Sequence, residues 1–299
     1  MDDVDPYTRE PWATIACGGL ADADRAVAAA RRAFDNGPWP RMGYEKRQAV
    51  LHRLAALMEE HAAELAMADT RDMGKPISQA RIDVARSAWN VRFFADHARM
   101  SISDMYPMDS GHHAYTRFDP VGVAVAISPW NFPLMLGTWK VAPALAWGNT
   151  VVMKPAEDTP VSATLWARLA LEAGLPPGVL NIVHGYGPDS AGAALTGNPD
   201  VDRITFTGES GTGKVISGAA ARNLVPVSLE LGGKGANIVF DDADLDNAVS
   251  WAVQAIFRNA GQICLSGSRL YLQSGIYDEF IARFVAAAEA MRAGDPKDP

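Results

Sequence analysis

Up to about residue 100, apolar positions recur at helical spacing. Val27, Ala30 and Phe34 form one stripe after Asp22, and Val50, Leu54, Leu57, Met58 and Leu65 form the next, with Gly37-Pro38 breaking the chain between them. Gly74-Lys75-Pro76 ends that second helix, and Val84, Ala88, Val91 and Phe94 mark a third. From 102 to 120 the period shortens. Ile102 to Tyr106 and His113 to Phe118 read as strands around an Asp109-Ser110-Gly111 turn, which predicts a β-hairpin. A lone hairpin is marginal in water, so this one is expected to pack on another subunit or domain. His112 and His113 have no third ligand at metal spacing and read as solvated turn residues.

From residue 121 strand and helix alternate. Val121 to Ile127 is a continuous apolar run of strand length, as a sheet covered on both faces requires. A helix over 133–146, a strand over 150–154 and a helix over 160–173, opened by Thr159 and stopped by Gly174, follow. The series continues through a strand at 179–183, a short helix near Ser190 to Leu195, and a strand at 203–206. Repeated units of this kind predict an α/β fold with a doubly wound, mainly parallel sheet and ligands at the carboxyl ends of its strands. Further on, Pro226 to Lys234 reads as a strand ending in a carboxylate and two glycines. Asp244 to Asn259 reads as an amphipathic helix, Leu270 to Leu272 as a strand, and Tyr277 to Ala288 as a last helix.

Composition narrows the class of protein. The 299 residues can bury a full core, and 48% hydrophobic with 21% charged residues is ordinary for a globular enzyme. A net charge of −8, with no Lys/Arg block, argues against nucleic acid or an anionic membrane as partner. No apolar stretch is long enough, without interruption, to cross a bilayer. Two cysteines, Cys17 and Cys264, lie far apart, so a reducing, cytoplasmic setting is the expectation. Cys17, beside Gly18-Gly19, reads as a small apolar residue.

Three stretches carry candidate chemistry. Phe206 to Lys214 is a glycine-rich turn between strand and helix, where a close backbone and free N–H groups suit a phosphate. Glu230 stands in an apolar strand, which is costly unless the carboxylate is paired, solvated or functional. Cys264 sits among small and turn-forming residues between helix and strand, where a reactive thiol would be placed.

Taken together, Pro129-Trp130-Asn131-Phe132-Pro133, Phe206-Thr207-Gly208, Leu229 to Lys234 and Gly261-Gln262-Ile263-Cys264 resemble the NAD(P)-dependent aldehyde dehydrogenase superfamily in order and spacing. Glu230 precedes Cys264 by 34 positions. The resemblance implies an aldehyde-dehydrogenase-like fold. Residues 1–231 would form a Rossmann-type NAD-binding domain, with the 102–120 hairpin as oligomerisation element, and 232–299 the first part of a second, incomplete α/β catalytic domain. It implies Cys264 as nucleophile toward an aldehyde, forming a thiohemiacetal and then a thioester. Asn131 and the Cys264 backbone N–H would hold the oxyanion, a contribution of ~3 kcal/mol per donor. Glu230 would be the base for hydrolysis to the carboxylic acid, which argues against acyl transfer to coenzyme A.

For the cofactor, the resemblance implies Ser128, Trp130, Lys154, Glu157, Gly208, Glu209, Gly213 and Leu231 as contacts. Glu157 would repel a 2′-phosphate and so favour NAD over NADP. Glu209 stands where many relatives carry serine. Trp130, Phe132, Trp139 and Ile263 would lie near the substrate entrance. The same resemblance implies a homodimer or homotetramer, and it makes the chain look short at both ends. The alternative reading is therefore a non-catalytic fragment that binds nucleotide or associates with full-length subunits.

Overall fold

A computed structural model describes residues 1–298. The chain opens with a two-stranded antiparallel ribbon, β1 (Asp2–Val4) and β2 (Pro11–Thr14), where the apolar pattern suggested only helix. Each strand is too short to show a period. The turn between them is made by Asp5, whose carboxylate accepts the N–H groups of Tyr7 and Thr8 at 2.9 and 3.2 Å. Four helices follow: α1 (Leu20–Asp35), α2 (Tyr44–Glu60), α3 (Ala62–Met73) and α4 (Ile77–Arg99). The second expected helix is thus two helices, broken at His61, because both halves keep one apolar stripe across the bend. Gly74 ends α3 with a left-handed φ of 73°, as its position predicted.

The expected hairpin is present but short, with β3 (Met105–Tyr106) pairing β4 (Ala114–Tyr115). It carries Ile102, Met105, Tyr115 and Phe118 into solvent. His112 and His113 are exposed, as expected of turn residues.

The central sheet comprises β5 (Val123–Ile127), β6 (Thr150–Lys154), β7 (Leu180–Ile182), β8 (Arg203–Gly208) and β9 (Val227–Leu231). Its order is β7-β6-β5-β8-β9, and every pair is parallel. The helices between its strands are α5 (Pro133–Ala146), α6 (Val161–Glu172), α7 (Ala191–Gly197) and α8 (Ser210–Ala221). Every residue of β5 and β6 is buried, so the doubly wound expectation holds. One apolar cluster joins the sheet to α2, α4, α5 and α6 around Leu54, Val91, Leu145 and Trp166. A second lies on the opposite face around Val27, Val125, Ile204 and Ile216. Strand order reverses between β5 and β8, which opens a crevice above Ser128 and Gly208. Just before β5, Gly122 has φ 134°, and a Cβ there would lie 1.8 Å from Asp202 Oδ2, the acceptor of the Val123 N–H. Only glycine fits.

Beyond β9 lies a separate small layer. β10 (Ala236–Val239) pairs in parallel with β11 (Arg269–Leu272), packed on α9 (Leu245–Phe257) and α10 (Tyr277–Glu289) through Val239, Val249, Ala252, Ile276 and Phe280. The strand expected to run to Lys234 stops at Leu231, and β10 begins after Gly232-Gly233-Lys234-Gly235. Glycines carry no side chain to mark that change of direction.

A buried charged group lies where α3 meets α4. Lys75 is fully buried, donates to Asp83 at 2.5 Å and lies 4.1 Å from the centre of the Phe132 ring. Burial pushes the nearby Asp69 carboxyl up to about 6 against the pull of Lys75. Between about pH 4 and pH 6 the folded protein keeps a proton there that the unfolded chain has released, so stability falls as pH rises through this window. Asp69→Asn removes the titration. The variant is expected to gain on the parent by about 2–3 kcal/mol from pH 4 to pH 6. Thermal unfolding at stepped pH checks this, and a constant difference between the two proteins would refute it.

Candidate functional site

The loop bearing Cys264 is built from the end of α9. After Phe257 the chain enters a tight turn in which Asn259 (φ 56°), Ala260 (φ 54°) and Gly261 (φ 77°) are all left-handed. Two consecutive non-glycine residues in this region are strained, by about 1 kcal/mol or more each, and need support. Asn259 supplies it. Fully buried, it takes Gln79 Oε1 on its own N–H at 2.8 Å and donates its amide to the Asn131 and Gln262 carbonyls at 2.8 and 3.0 Å. Through its backbone N–H and its side-chain amide together, this one residue joins the start of α4, the residue before Phe132 and the cysteine loop. Asparagine tolerates this conformation better than most residues, so Asn-Ala-Gly ahead of the cysteine was the readable signal of a built turn.

Cys264 is exposed at the end of this turn, and its backbone N–H makes no hydrogen bond among the described residues. It opens into a cleft of about 520 Å³ that also takes in Asn131, Glu230, Gln262 and Ile263. Asn131 is 8% exposed; its Nδ2 donates to the Gln262 carbonyl at 3.0 Å, and its Oδ1 has no partner. Trp130 Nε1 donates to Gln262 Oε1 at 2.9 Å, which closes the loop against the β5–α5 connection. Glu230, near the end of β9, is exposed. Solvation thus removes the burial cost that its apolar strand suggested.

A second cleft, of about 650 Å³, lies at the sheet's switch point. Of the residues expected to contact a cofactor, Ser128, Trp130, Lys154, Glu157, Gly208 and Glu209 line it. Gly213 and Leu231 line neither cleft. They pack together, since a Cβ on Gly213 would stand 3.1 Å from Leu231 Cδ2, so their place is beneath the helix. Lys154 Nζ pairs with Glu157 Oε2 at 3.1 Å. Ser128, which lines this cleft, is 3% exposed, and its hydroxyl has no hydrogen-bond partner. Pro129, Trp130, Thr207, Gly208 and Glu209 form the wall common to both clefts. Phe132 is held under Lys75, and Trp139 is 46% exposed on α5. Cys17, read as a small apolar residue, is exposed and lines neither cleft.

One residue beneath the site escaped the sequence reading. Lys140 on α5 is 9% exposed and donates to Thr207 Oγ1 at 2.6 Å. Burial lowers its ammonium to about 8, while the nearby Glu230 pulls the other way. The signal was a lysine inside an otherwise apolar helix.

The fold and site define an α/β protein with a nucleotide-sized crevice at its topological switch point, adjoined by a thiol, a buried amide and a carboxylate. The chain belongs to the aldehyde dehydrogenase family, whose sequence signature matches residues 1–299. It is 48% identical to 2-hydroxymuconic semialdehyde dehydrogenase from Pseudomonas sp. strain CF600, over 100% of this chain and 62% of that one. The solved structure of PnpE from Pseudomonas sp. WBC-3 superposes with a TM-score of 0.97 at 46% identity, covering 100% of this chain and 61% of PnpE. An NAD complex of the Bacillus cereus aldehyde dehydrogenase matches with a TM-score of 0.97 at 40% identity, with the same coverage of 100% and 61%. The chain thus spans about three fifths of the length of these relatives. The family is NAD(P)-dependent. Among the described residues, no helix is long and apolar enough to cross a membrane.

Proposed function

We propose that the chain carries the cofactor cleft and the nucleophile of an enzyme that oxidises an aldehyde to the carboxylic acid with NAD. The observation that carries this reading is that Cys264, Asn131 and Glu230 open into one cleft sharing a wall with the nucleotide-sized one. In this reading residues 1–231 are the NAD-binding domain and 232–299 the first part of the catalytic domain. The exposed apolar hairpin is the oligomerisation element of a cytoplasmic homodimer or homotetramer.

The residues divide the work as follows. The Cys264 thiolate adds to the aldehyde carbon, and the Cys264 N–H and the Asn131 amide hold the resulting oxyanion. Asn131 is prepared for this by its bond to Gln262, which orients the amide before substrate arrives. NAD, when bound, accepts the hydride. Glu230 then takes a proton from the water that hydrolyses the Cys264 thioester. Solvent reaches Glu230, as water delivery requires. Cofactor would be held by Ser128, Lys154 and Glu157 along the first cleft. The Glu157 carboxylate disfavours a 2′-phosphate, so NAD is preferred to NADP.

The test is NADH absorbance on mixing the chain with NAD and a panel of aliphatic, aromatic and semialdehyde substrates. Acid formation with NAD, and at least ~10-fold less with NADP, supports the reading. Acyl-coenzyme A in place of acid would overturn the role of Glu230. A second reading, nucleotide binding without turnover, is favoured by the apolar side chains Ile238, Phe240, Trp251 and Leu265 standing in solvent around the cysteine layer. Turnover by the 299-residue chain alone would remove it.

A further inference from the structure

Glu209 is one of the five residues that line both clefts, and the only charged one among them. It is also the N-cap of α8, with φ −79° and ψ 146°, and its carboxylate accepts the Thr212 N–H at 3.1 Å. The carboxylate is folded back over the first helical turn. A Cβ on Gly211 would lie 2.6 Å from Glu209 Oε2, so the absence of a side chain there is what admits it. The backbone N–H groups of Gly211, Thr212 and Ser210 hold this carboxyl below the usual glutamate range, with help from Lys214. These N–H groups are the ones a helix start offers to a phosphate.

The surrounding charge sharpens the point. The charged residues lining the nucleotide-sized cleft are Lys154, Glu157, Asp158 and Glu209. Lys154 is already paired with Glu157. A dinucleotide brings two further negative charges, and the α8 N-terminus, which could receive one of them, is covered by Glu209. The same cleft is lined by Ser128, a buried residue whose hydroxyl has no hydrogen-bond partner and is free to meet a ligand.

We propose that Glu209 is a resident competitor for the cofactor's diphosphate: its carboxylate accepts the Thr212 N–H in the first turn of α8 and must leave the helix start before a phosphate can take it. The inference rests on the cofactor cleft proposed above and deepens it. Affinity for diphosphate-bearing ligands is then set by an exchange of one anion for another, and affinity for the nucleoside part is not. Glu209 acts here as a residue that weakens cofactor binding and so hastens its release.

The test is isothermal titration calorimetry of NAD, ADP-ribose and adenosine with the parent, Glu209→Ser and Glu209→Gln, at low salt and at 0.15 M. Serine keeps a capping oxygen without the charge, and glutamine keeps the size without the charge. Both variants are expected to bind NAD and ADP-ribose about 3- to 30-fold more tightly than the parent at low salt, a range set by charge at a helix start. Adenosine should stay within about twofold, and the gain should shrink at the higher salt. Equal tightening of adenosine, unchanged NAD affinity, or weaker NAD binding in Glu209→Ser would each overturn the proposal. If the parent bound none of the three, the cleft assignment itself would fail and the inference with it. Thermal unfolding of each variant separates loss of the cap from loss of fold. Glu209→Ser should melt close to the parent.

Discussion

Cys264→Ala is expected to lower NAD-dependent acid formation by more than about 10³-fold, because no other group in the cleft can form the carbon–sulfur bond on which hydride loss and hydrolysis depend. Asn131 and Glu230 only hold or activate, and neither replaces a nucleophile. The thiol is exposed, so its removal leaves no cavity, and the melting temperature should stay within about 1 °C of the parent. NAD affinity should stay within about twofold, since Cys264 lies outside the nucleotide-sized cleft. Cys17→Ala is the control: that thiol is also exposed, yet it lines neither cleft, and full activity is expected. Glu230→Gln completes the series. It should slow thioester hydrolysis, so that an acyl adduct on Cys264 accumulates and is seen by mass spectrometry. Persistent turnover in Cys264→Ala, or an adduct on Cys17, would refute the assigned chemistry.

Lys75→Met carries the largest expected effect on stability. Lys75 and Asp83 are 0% and 3% exposed, and removing the ammonium leaves a carboxylate buried without a counter-charge, with Asp69 close by. Breaking such a pair costs about 3–5 kcal/mol, even though a well-packed apolar replacement of both partners can be neutral. Loss of the ammonium over the Phe132 ring adds to this. Melting temperature should drop by about 6–15 °C. Lys75→Met with Asp83→Leu should recover much of the loss, because the stranded charge is then gone. A drop under about 2 °C for the single variant would show that the pair is not under the strain its burial implies.

Much of the central sheet was legible. β5, β6 and the sheet helices are long, uniformly apolar or strictly periodic, and bounded by Pro133, Gly174 and similar punctuation, so α5 and β6 match their expected limits. The short elements were not. β1, β2 and β10 hold three or four residues each and pair with partners that no local pattern announces. The break at His61 was hidden because both flanking helices face the same core.

The candidate site shows the same division. Pro129 to Pro133, Gly208, Glu230 and Cys264 were readable because their residue types and order are distinctive. Gly213 and Leu231 were singled out by the same order; in the fold Gly213 of α8 lies against Leu231 of β9, and neither lines a cleft. The contacts of Lys140 and Asn259 were not readable: a lysine in an apolar helix and an asparagine before Ala-Gly are local signals, but their partners Thr207, Gln79 and Asn131 are distant in sequence.

By itself, then, the sequence determined the parallel α/β sheet, the family and the candidate site residues, because periodicity and short motifs are local and survive without knowledge of contacts. Only the tertiary structure decided how those groups are held. Gln79 meets Asn259 across 180 positions, Asn259 meets the Asn131 carbonyl across 128, and Trp130 meets Gln262 across 132. Such hydrogen bonds exist only once packing brings polar groups distant in sequence together, and it is they that fix the conformation of the cysteine loop.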